Sequence, residues 1–317
     1  MKSINFNLSA RTALAIAFAV SVLFVSCKKD KDELLSSNSI ATIVSTNNDF
    51  SLLKTALLHA GLVDVLSGVG PFTVFAPNNA AFAASGLDTE AKIKSIPAES
   101  LEKILLYHVI GQKVVSSSIA TGSNSSVKAA NDLNVFVTKN SAGVFINGSS
   151  VTKADIMATN GVIHVINAVL MPPMGNIVEV AQGNPNFSLL VAAVLRASQG
   201  TTNVAQVLSG AGPLTVFAPT NQAFINSGFA NVAAIQAADP AVLTSILTYH
   251  VVSGRVFSSD LTEGAKPATV NGQTLTINLS GGAKVKGNKN TTASTISSAN
   301  LVTENGVIHV IDQVLLP

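Results

Sequence analysis

Charge is the scarcest property of this 317-residue chain. Only 11% of its residues are Asp, Glu, Lys or Arg, against about 25% in an ordinary soluble protein. Lys and Arg number 19 and Asp and Glu 17, and two of the bases, Lys2 and Arg11, lie in the first 26 residues, which hold no acid. Beyond residue 26 the signs balance at 17 each, so nothing in the overall charge draws the chain to nucleic acid or anionic lipid. A single cysteine, Cys27, excludes an internal disulfide framework, a four-cysteine zinc site and a CxxC redox pair. Tryptophan is absent and aromatics make up 5%, mostly Phe at core-like positions, which leaves no visible platform for stacking sugars. No later segment has 18 uninterrupted apolar residues, so no spanning helix is expected after the amino terminus. The GxSxG, HExxH, Walker and GxGxxG patterns are also missing. What the chain does have is a 47% hydrophobic composition, enough for a sizeable core and contrary to disorder. Its length suits roughly two domains of about 150 residues.

The amino terminus reads as an address. Lys2 and Arg11 precede an apolar run from Ala13 to Val25, shorter than the roughly 20 residues needed to span a bilayer. A basic start, a short apolar stretch and the small residue Ser26 describe a secretory signal peptide over residues 1–26. The segment Leu23-Phe24-Val25-Ser26-Cys27 resembles a bacterial lipobox, with Phe24 where an aliphatic residue is usual. That resemblance implies lipidation of Cys27 and a membrane anchor through it. Residues 27–38, including Lys28, Lys29, Asp30, Lys31, Asp32 and Glu33, lack apolar periodicity and read as a flexible tether. Acidic residues so soon after Cys27 resemble the surface-export signals of some Gram-negative lipoproteins.

The remainder is one unit written twice. The segment from Gly70 to Phe82 (GPFTVFAPNNAAF) returns from Gly212 to Phe224 (GPLTVFAPTNQAF). Tyr107-His108-Val109 returns as Tyr249-His250-Val251, and Asn160-Gly-Val-Ile-His-Val-Ile166 as Asn305 to Ile311. Upstream, Phe50-Ser-Leu-Leu53 matches Phe187 to Leu190. Solenoid repeats run at 20 to 50 residues, whereas this repeat is a whole domain. The division is 39–173 and 174–317, with Pro172-Pro173-Met174-Gly175 as a linker too short for free movement. The second copy's pattern runs out at Pro317, so no carboxy-terminal anchor is expected.

Within each copy the periodicities are mixed, which predicts an α/β (mixed α+β) fold. Phe50 to Leu66 reads as one amphipathic helix, and Thr73-Val-Phe75 as a strand closed by Ala76-Pro77. Asn78 and Thr220 are predicted N-caps. Leu101, Ile104, Leu105, His108 and Val109 fall on one helical face, as do Leu243, Ile246, Leu247, His250 and Val251. Asp239-Pro240 supplies a cap and a first-turn proline. Asn134–Thr138 and Gly143–Asn147 read as strands. The pairs Asn160-Gly161 and Asn305-Gly306 carry the dipeptide favoured in tight hairpin turns. The strand that follows is apolar on both faces, as in a central, covered strand.

Three landmarks stand in order in each copy: Thr73-Val-Phe-Ala-Pro77, Tyr107-His108 and Asn160-Gly-Val-Ile-His164; then Thr215 to Pro219, Tyr249-His250 and Asn305 to His309. Their order and spacing resemble the fasciclin family over roughly residues 39–317. The resemblance implies two tandem domains, each a small β-sheet wedge packed with helices. It also implies a non-catalytic extracellular module that mediates adhesion to cells, matrix proteins or polysaccharides. In some animal members the Tyr-His region is implicated in integrin recognition, which makes Tyr107, His108, Tyr249 and His250 the candidate ligand-binding residues. His164, His309, Asn160, Asn305, Pro77 and Pro219 are structural motif positions.

Read from the residues, two matched histidines per domain admit a metal or catalytic centre, or satisfied buried imidazoles. The carboxylates favour the second. Asp64 meets Gln206, Glu99 meets Ala241, Glu102 meets Thr244 and Asp155 meets Asn300, so no acidic position is shared between copies. His59 meets Arg196 and is expected at the surface. Lys284, Lys286 and Lys289 form the densest basic group after the tether and are expected on a hairpin edge. The leading expectation is a non-enzymatic lipoprotein of the cell surface or periplasmic face, outer-membrane anchored, binding an extracellular protein or polysaccharide, with no catalytic residue, metal, cofactor or nucleic-acid partner. Two alternatives are a structural envelope protein that binds a protein partner, and an envelope hydrolase using His108 and His164.

Overall fold

The structure is a computed structural model that describes residues 38–317. The signal peptide, Cys27 and nearly all of the tether lie outside the described residues. In the first domain the order is α1 (Ile40–Thr46), α2 (Ser51–His59), α3 (Val63–Ser67), β1 (Phe72–Pro77), α4 (Asn79–Ala84), α5 (Glu90–Lys94), α6 (Ala98–Leu106), β2 (Val109–Ile110), β3 (Gly122–Lys128), β4 (Asn134–Asn140), β5 (Gly143–Ile146), β6 (Ser149–Ala158) and β7 (Gly161–Ile166). The second domain repeats it with α7 (Ile177–Gln182), α8 (Ser188–Ala197), α9 (Val204–Ser209), β8 (Leu214–Pro219), α10 (Asn221–Asn226), α11 (Val232–Ala237), α12 (Pro240–Tyr249), β9 (Val251–Ser253), β10 (Thr276–Asn278), β11 (Lys284–Lys286), β12 (Ser294–Thr303) and β13 (Gly306–Ile311).

Each domain is a mixed sheet covered on both faces. The strand orders are β2-β1-β7-β6-β5-β4-β3 and β10-β11-β12-β13-β8-β9. The apolar strands β7 and β13 lie inside, parallel to β1 and β8 on one side and antiparallel to β6 and β12 on the other. All six residues of β7 are buried, as expected of a strand with two covered faces. The helices pack on one face around Leu53, Phe82, Leu101 and Ile163; Phe75, Tyr107, Val135 and Ile146 form a second core on the other. Asn78 and Thr220 cap α4 and α10 through their side-chain oxygens. Asp239 caps α12, with Pro240 as its first residue.

Four local expectations are corrected. The stretch Phe50–Leu66 is two helices, because Gly61 takes φ +70° and breaks it, a conformation glycine adopts at little cost. His108 and Val109 are not on a helical face. Helix α6 ends at Leu106, and Val109 begins β2. Lys284 and Lys286 lie on β11, which is paired on both sides, and not on an edge.

The fourth correction concerns the hairpin between β6 and β7. The hairpin exists, with Ala158 opposite Gly161, but its two turn residues are Thr159 and Asn160, and neither these nor Gly161 has a positive φ. The glycine has another reason: a Cβ at Gly161 would overlap the Phe72 carbonyl of β1, and one at Gly306 the Leu214 carbonyl of β8. Close strand approach, not turn chirality, requires glycine here.

Candidate functional site

The matched residues converge on the central strand pair, and their polar atoms are spent inside the fold. Tyr107 is fully buried; its hydroxyl donates to the Asn134 carbonyl at 2.8 Å and accepts from Asn147 Nδ2 at 3.0 Å. His108, just past the end of α6, donates from Nδ1 to the Ile104 carbonyl at 2.8 Å. It accepts at Nε2 from the Leu170 amide, also at 2.8 Å. The first bond gives a carbonyl in the last turn of α6 a second donor beside the Tyr107 amide; the second pins the chain leaving β7. His250 repeats both with Ile246 and Leu315, at 2.8 and 2.9 Å. These partners fix each ring as the neutral Nδ1–H tautomer. Burial disfavours the charged ring and holds both pKa values down, from 6.5 to about 4.

The strand histidines have the opposite tautomer. His164 donates from Nε2 to the Val114 carbonyl at 2.8 Å, accepts at Nδ1 from the Asp155 amide at 3.2 Å, and stacks on Phe75. His309 does the same with Val256, Asn300 and Phe217, and burial lowers its pKa. Asn160 accepts from the Ile40 amide at 3.0 Å and donates from Nδ2 to the carbonyls of Leu66 and Gly68 at 2.8 and 2.9 Å. Asn305 ties Ile177, Leu208 and Gly210 in the same way. Thr73 and Thr215 each bridge the loop that follows the Tyr-His pair. Pro77 and Pro219 end β1 and β8 beyond the reach of β2 and β9, where a missing N–H costs no ladder bond.

The four candidate ligand-binding residues are therefore inside. Tyr107, His108, Tyr249 and His250 are at most 2% exposed, so a ligand approaching from solvent meets other residues first. His108 and His164 have all their ring nitrogens engaged with backbone. Among the described residues no group of three or more His, Cys, Asp or Glu side chains comes together. His59 is half-buried and bonds the Ile96 carbonyl at 2.9 Å, as Arg196 bonds that of Ala238 at 3.0 Å. Asp155 and Asn300 do the same work for the backbone. Both take positive φ, 60° and 65°, and accept from the Ser116 and Ser258 amides at 2.8 Å. A carboxylate is not needed for that, which explains why the copies differ. The serine contacts hold the Asp155 carboxyl below its ordinary range.

What sequence matching missed lies where the copies diverge. Arg255, Phe257 and Asp260 stand where the first copy has Lys113, Val115 and Ser118, and they form a junction between the domains. The Arg255 guanidinium donates to the carbonyls of Thr303 at 3.0 Å, Glu304 at 3.2 Å, and Gly306. It also lies 4.2 Å over the Phe136 ring of the first domain. Asn124 Nδ2 donates to the Arg255 carbonyl at 2.6 Å, Thr138 to Asp260 at 3.0 Å and Asn140 to the Ser259 carbonyl at 3.1 Å. Phe136 and Phe257 meet at 6.0 Å. The signal was present in the sequence as mismatches between the copies at these three positions.

Fold and motif network together define a class: a tandem pair of mixed α/β modules whose signature residues build the domain and leave its surface free to vary. The fasciclin domain family matches residues 48–172 and 185–317. The chain belongs to that family, once in each domain. It is 30% identical over 259 residues to transforming growth factor-beta-induced protein ig-h3 of Sus scrofa, covering 80% of this chain and 35% of that protein. Periostin of Homo sapiens is 30% identical over 258 residues, covering 81% of this chain and 29% of that protein. Protein sll1483 of Synechocystis is 41% identical over 140 residues, covering 44% of this chain and 76% of that protein. The chain thus spans about a third of the length of the two animal relatives. A solved FAS1 domain pair from the insect cell adhesion molecule Fasciclin I is 20% identical and covers 84% of this chain and 96% of its own, at a TM-score of 0.41.

Proposed function

We propose that this chain is a non-enzymatic binding protein of the bacterial cell envelope, held to the membrane by a lipid on Cys27 and displaying two fasciclin domains to an extracellular protein or polysaccharide. One observation carries the reading: the similarity to ig-h3 and periostin runs through both domains, over 259 and 258 residues, and not through one shared module. What is retained is a pair. The junction through Arg255 and Phe136 supports it, because two surfaces held in fixed relation gain avidity when one partner spans both. No helix among the described residues is long and apolar enough to cross a membrane, and the lipobox-like segment ending at Cys27 supplies the anchor in this reading.

The test has two arms. The full chain, expressed in a Gram-negative host, is labelled with an alkyne fatty acid; Cys27→Ala is expected to abolish labelling and release the protein from the membrane fraction. The purified protein is then screened against the producing cell's polysaccharides, a glycan array and matrix proteins. A saturable ligand supports the reading. Unchanged membrane association of Cys27→Ala removes the anchor, and a clean negative in the screen removes the adhesion role.

A further inference from the structure

The helical side of the second domain contains a cavity that the first domain has closed. It lies between α7, α8, α9 and strands β8 and β13 and measures about 70 Å³. The corresponding space in the first domain, between α1, α2, α3 and β1, measures about 10 Å³. The cause is legible in the aligned residues. Ala181 stands where the first copy has Val44, Val194 where it has Leu57, and Ala205 where it has Val63, which removes five carbon atoms from the lining, while Val178 in place of Ala41 returns two. Its mouth differs in kind as well: Val191 replaces Lys54, beside an exposed leucine that both copies have, Leu195 here and Leu58 in the first.

The wall offers an incoming polar group nothing to bind. His250 is the one ionisable side chain in it, and both its ring nitrogens are occupied by Ile246 and Leu315. Gln182, exposed on α7, is the only other polar side chain in the lining. A natural core normally leaves few voids larger than a water, and an apolar void stays dry and takes apolar guests; one of about 150 Å³ binds benzene. At roughly half that size, the space here suits a narrow guest rather than a ring.

We propose that this cavity is a binding site for the end of an unbranched aliphatic chain, inserted methyl first past Val191 and Leu195, with its polar head left in solvent near Gln182. The first domain has no such site. The inference is independent of the adhesion reading, since it rests on the interior of one domain and not on its outer surface.

The probe is sodium hexanoate, titrated into the full-length protein carrying labelled Ala, Val, Leu and Ile methyl groups, with sodium acetate as the tail-less control. Saturable shifts are expected at the methyls of Ala181, Val194 and Leu208, none at Val44 and Leu57, and none with acetate. Ala181→Val combined with Val194→Leu, which restores the first copy's filling, is expected to weaken hexanoate at least tenfold; Val194→Leu alone serves if the double variant does not fold. Equal shifts in both domains, equal shifts with acetate, or unmoved cavity methyls in the wild-type protein would overturn the site, and these need no variant. Binding of a leucine-bearing peptide without binding of hexanoate would also overturn it, by making the cavity a contact for a partner's side chain.

Discussion

The two buried histidines that follow α6 and α12 set an acid limit on stability that can be worked from the structure. Each has its pKa pushed from 6.5 to about 4, first by burial and against the smaller opposing effect of its bond to a helix carbonyl. The unfolded chain therefore takes up the proton more readily than the folded one. Stability is full above about pH 6.5, falls as the pH drops, and the loss is complete below about pH 4. At 1.36 kcal/mol per unit, each domain loses about 2 kcal/mol by pH 5 and about 3 kcal/mol in all. In the second domain His309, also lowered by burial, deepens the loss. The exposed acids Asp88, Glu90, Glu99 and Asp132, lowered by bonds to neighbouring lysines, lose their contribution only below their ordinary values of 3.8 to 4.5. The window from pH 6.5 to 5 thus belongs to the imidazoles. Urea unfolding followed by circular dichroism at pH 7.5 and 5 is expected to show a midpoint lower by about 1 M at pH 5, for a slope of 1–3 kcal/mol/M. His108→Gln is expected to flatten this dependence in the first domain while lowering stability at pH 7.5. A wild-type midpoint that does not move between the two pH values would refute the reasoning.

Three further perturbations probe other contacts. Asn305→Ala strands the carbonyls of Leu208 and Gly210 and the Ile177 amide; a loss of at least 1–3 kcal/mol in the second domain is expected, read by thermal or urea unfolding. Gly161→Ala forces a Cβ into the Phe72 carbonyl and is expected to cost at least the ~3 kcal/mol upper end of ordinary overpacking, whereas Asp155→Asn, which copies the second domain, is expected to fall within about 0.5 kcal/mol in a melting experiment. Phe136→Ala removes the ring under Arg255, a contact of about 0.5–2 kcal/mol; small-angle scattering is expected to show a broader distribution of interdomain distances with each domain's melting unchanged.

The doubling, the covered central strand and the caps at Asn78, Thr220 and Asp239 were legible because each rests on a local pattern or on a comparison of the chain with itself. The break at Gly61 was not, since a helical apolar period continues across a glycine and only the φ it adopts reveals the corner. Nor was the role of Asn160-Gly161: the dipeptide looks the same whether glycine is needed for a turn or for strands that nearly touch. The histidines were legible as buried, from the apolar residues around them. Their tautomers depend on carbonyls and amides distant in sequence, such as Leu170 for His108. The junction residues Arg255, Phe257 and Phe136 escaped because matching the copies draws attention to what they share, and an asymmetric contact between repeats is written only in what they do not.

The tie between Asn160 and the Ile40 amide has a mechanical side. It fastens the start of the domain beside Gly161, at one end of β7, while the chain leaves from Ile166 at the other. A pull on the two ends of the domain would therefore run along the covalent backbone of the six residues of β7, about 20 Å of strand, and would reach it through two hydrogen bonds, Thr159 amide to Asn38 carbonyl and Ile40 amide to Asn160. Asn305, Ile177 and β13 repeat the arrangement. Two such ties stand in series, so the weaker of them would set the tension at which the pair first opens, and it would do so by freeing a domain's first helix while its sheet stays closed.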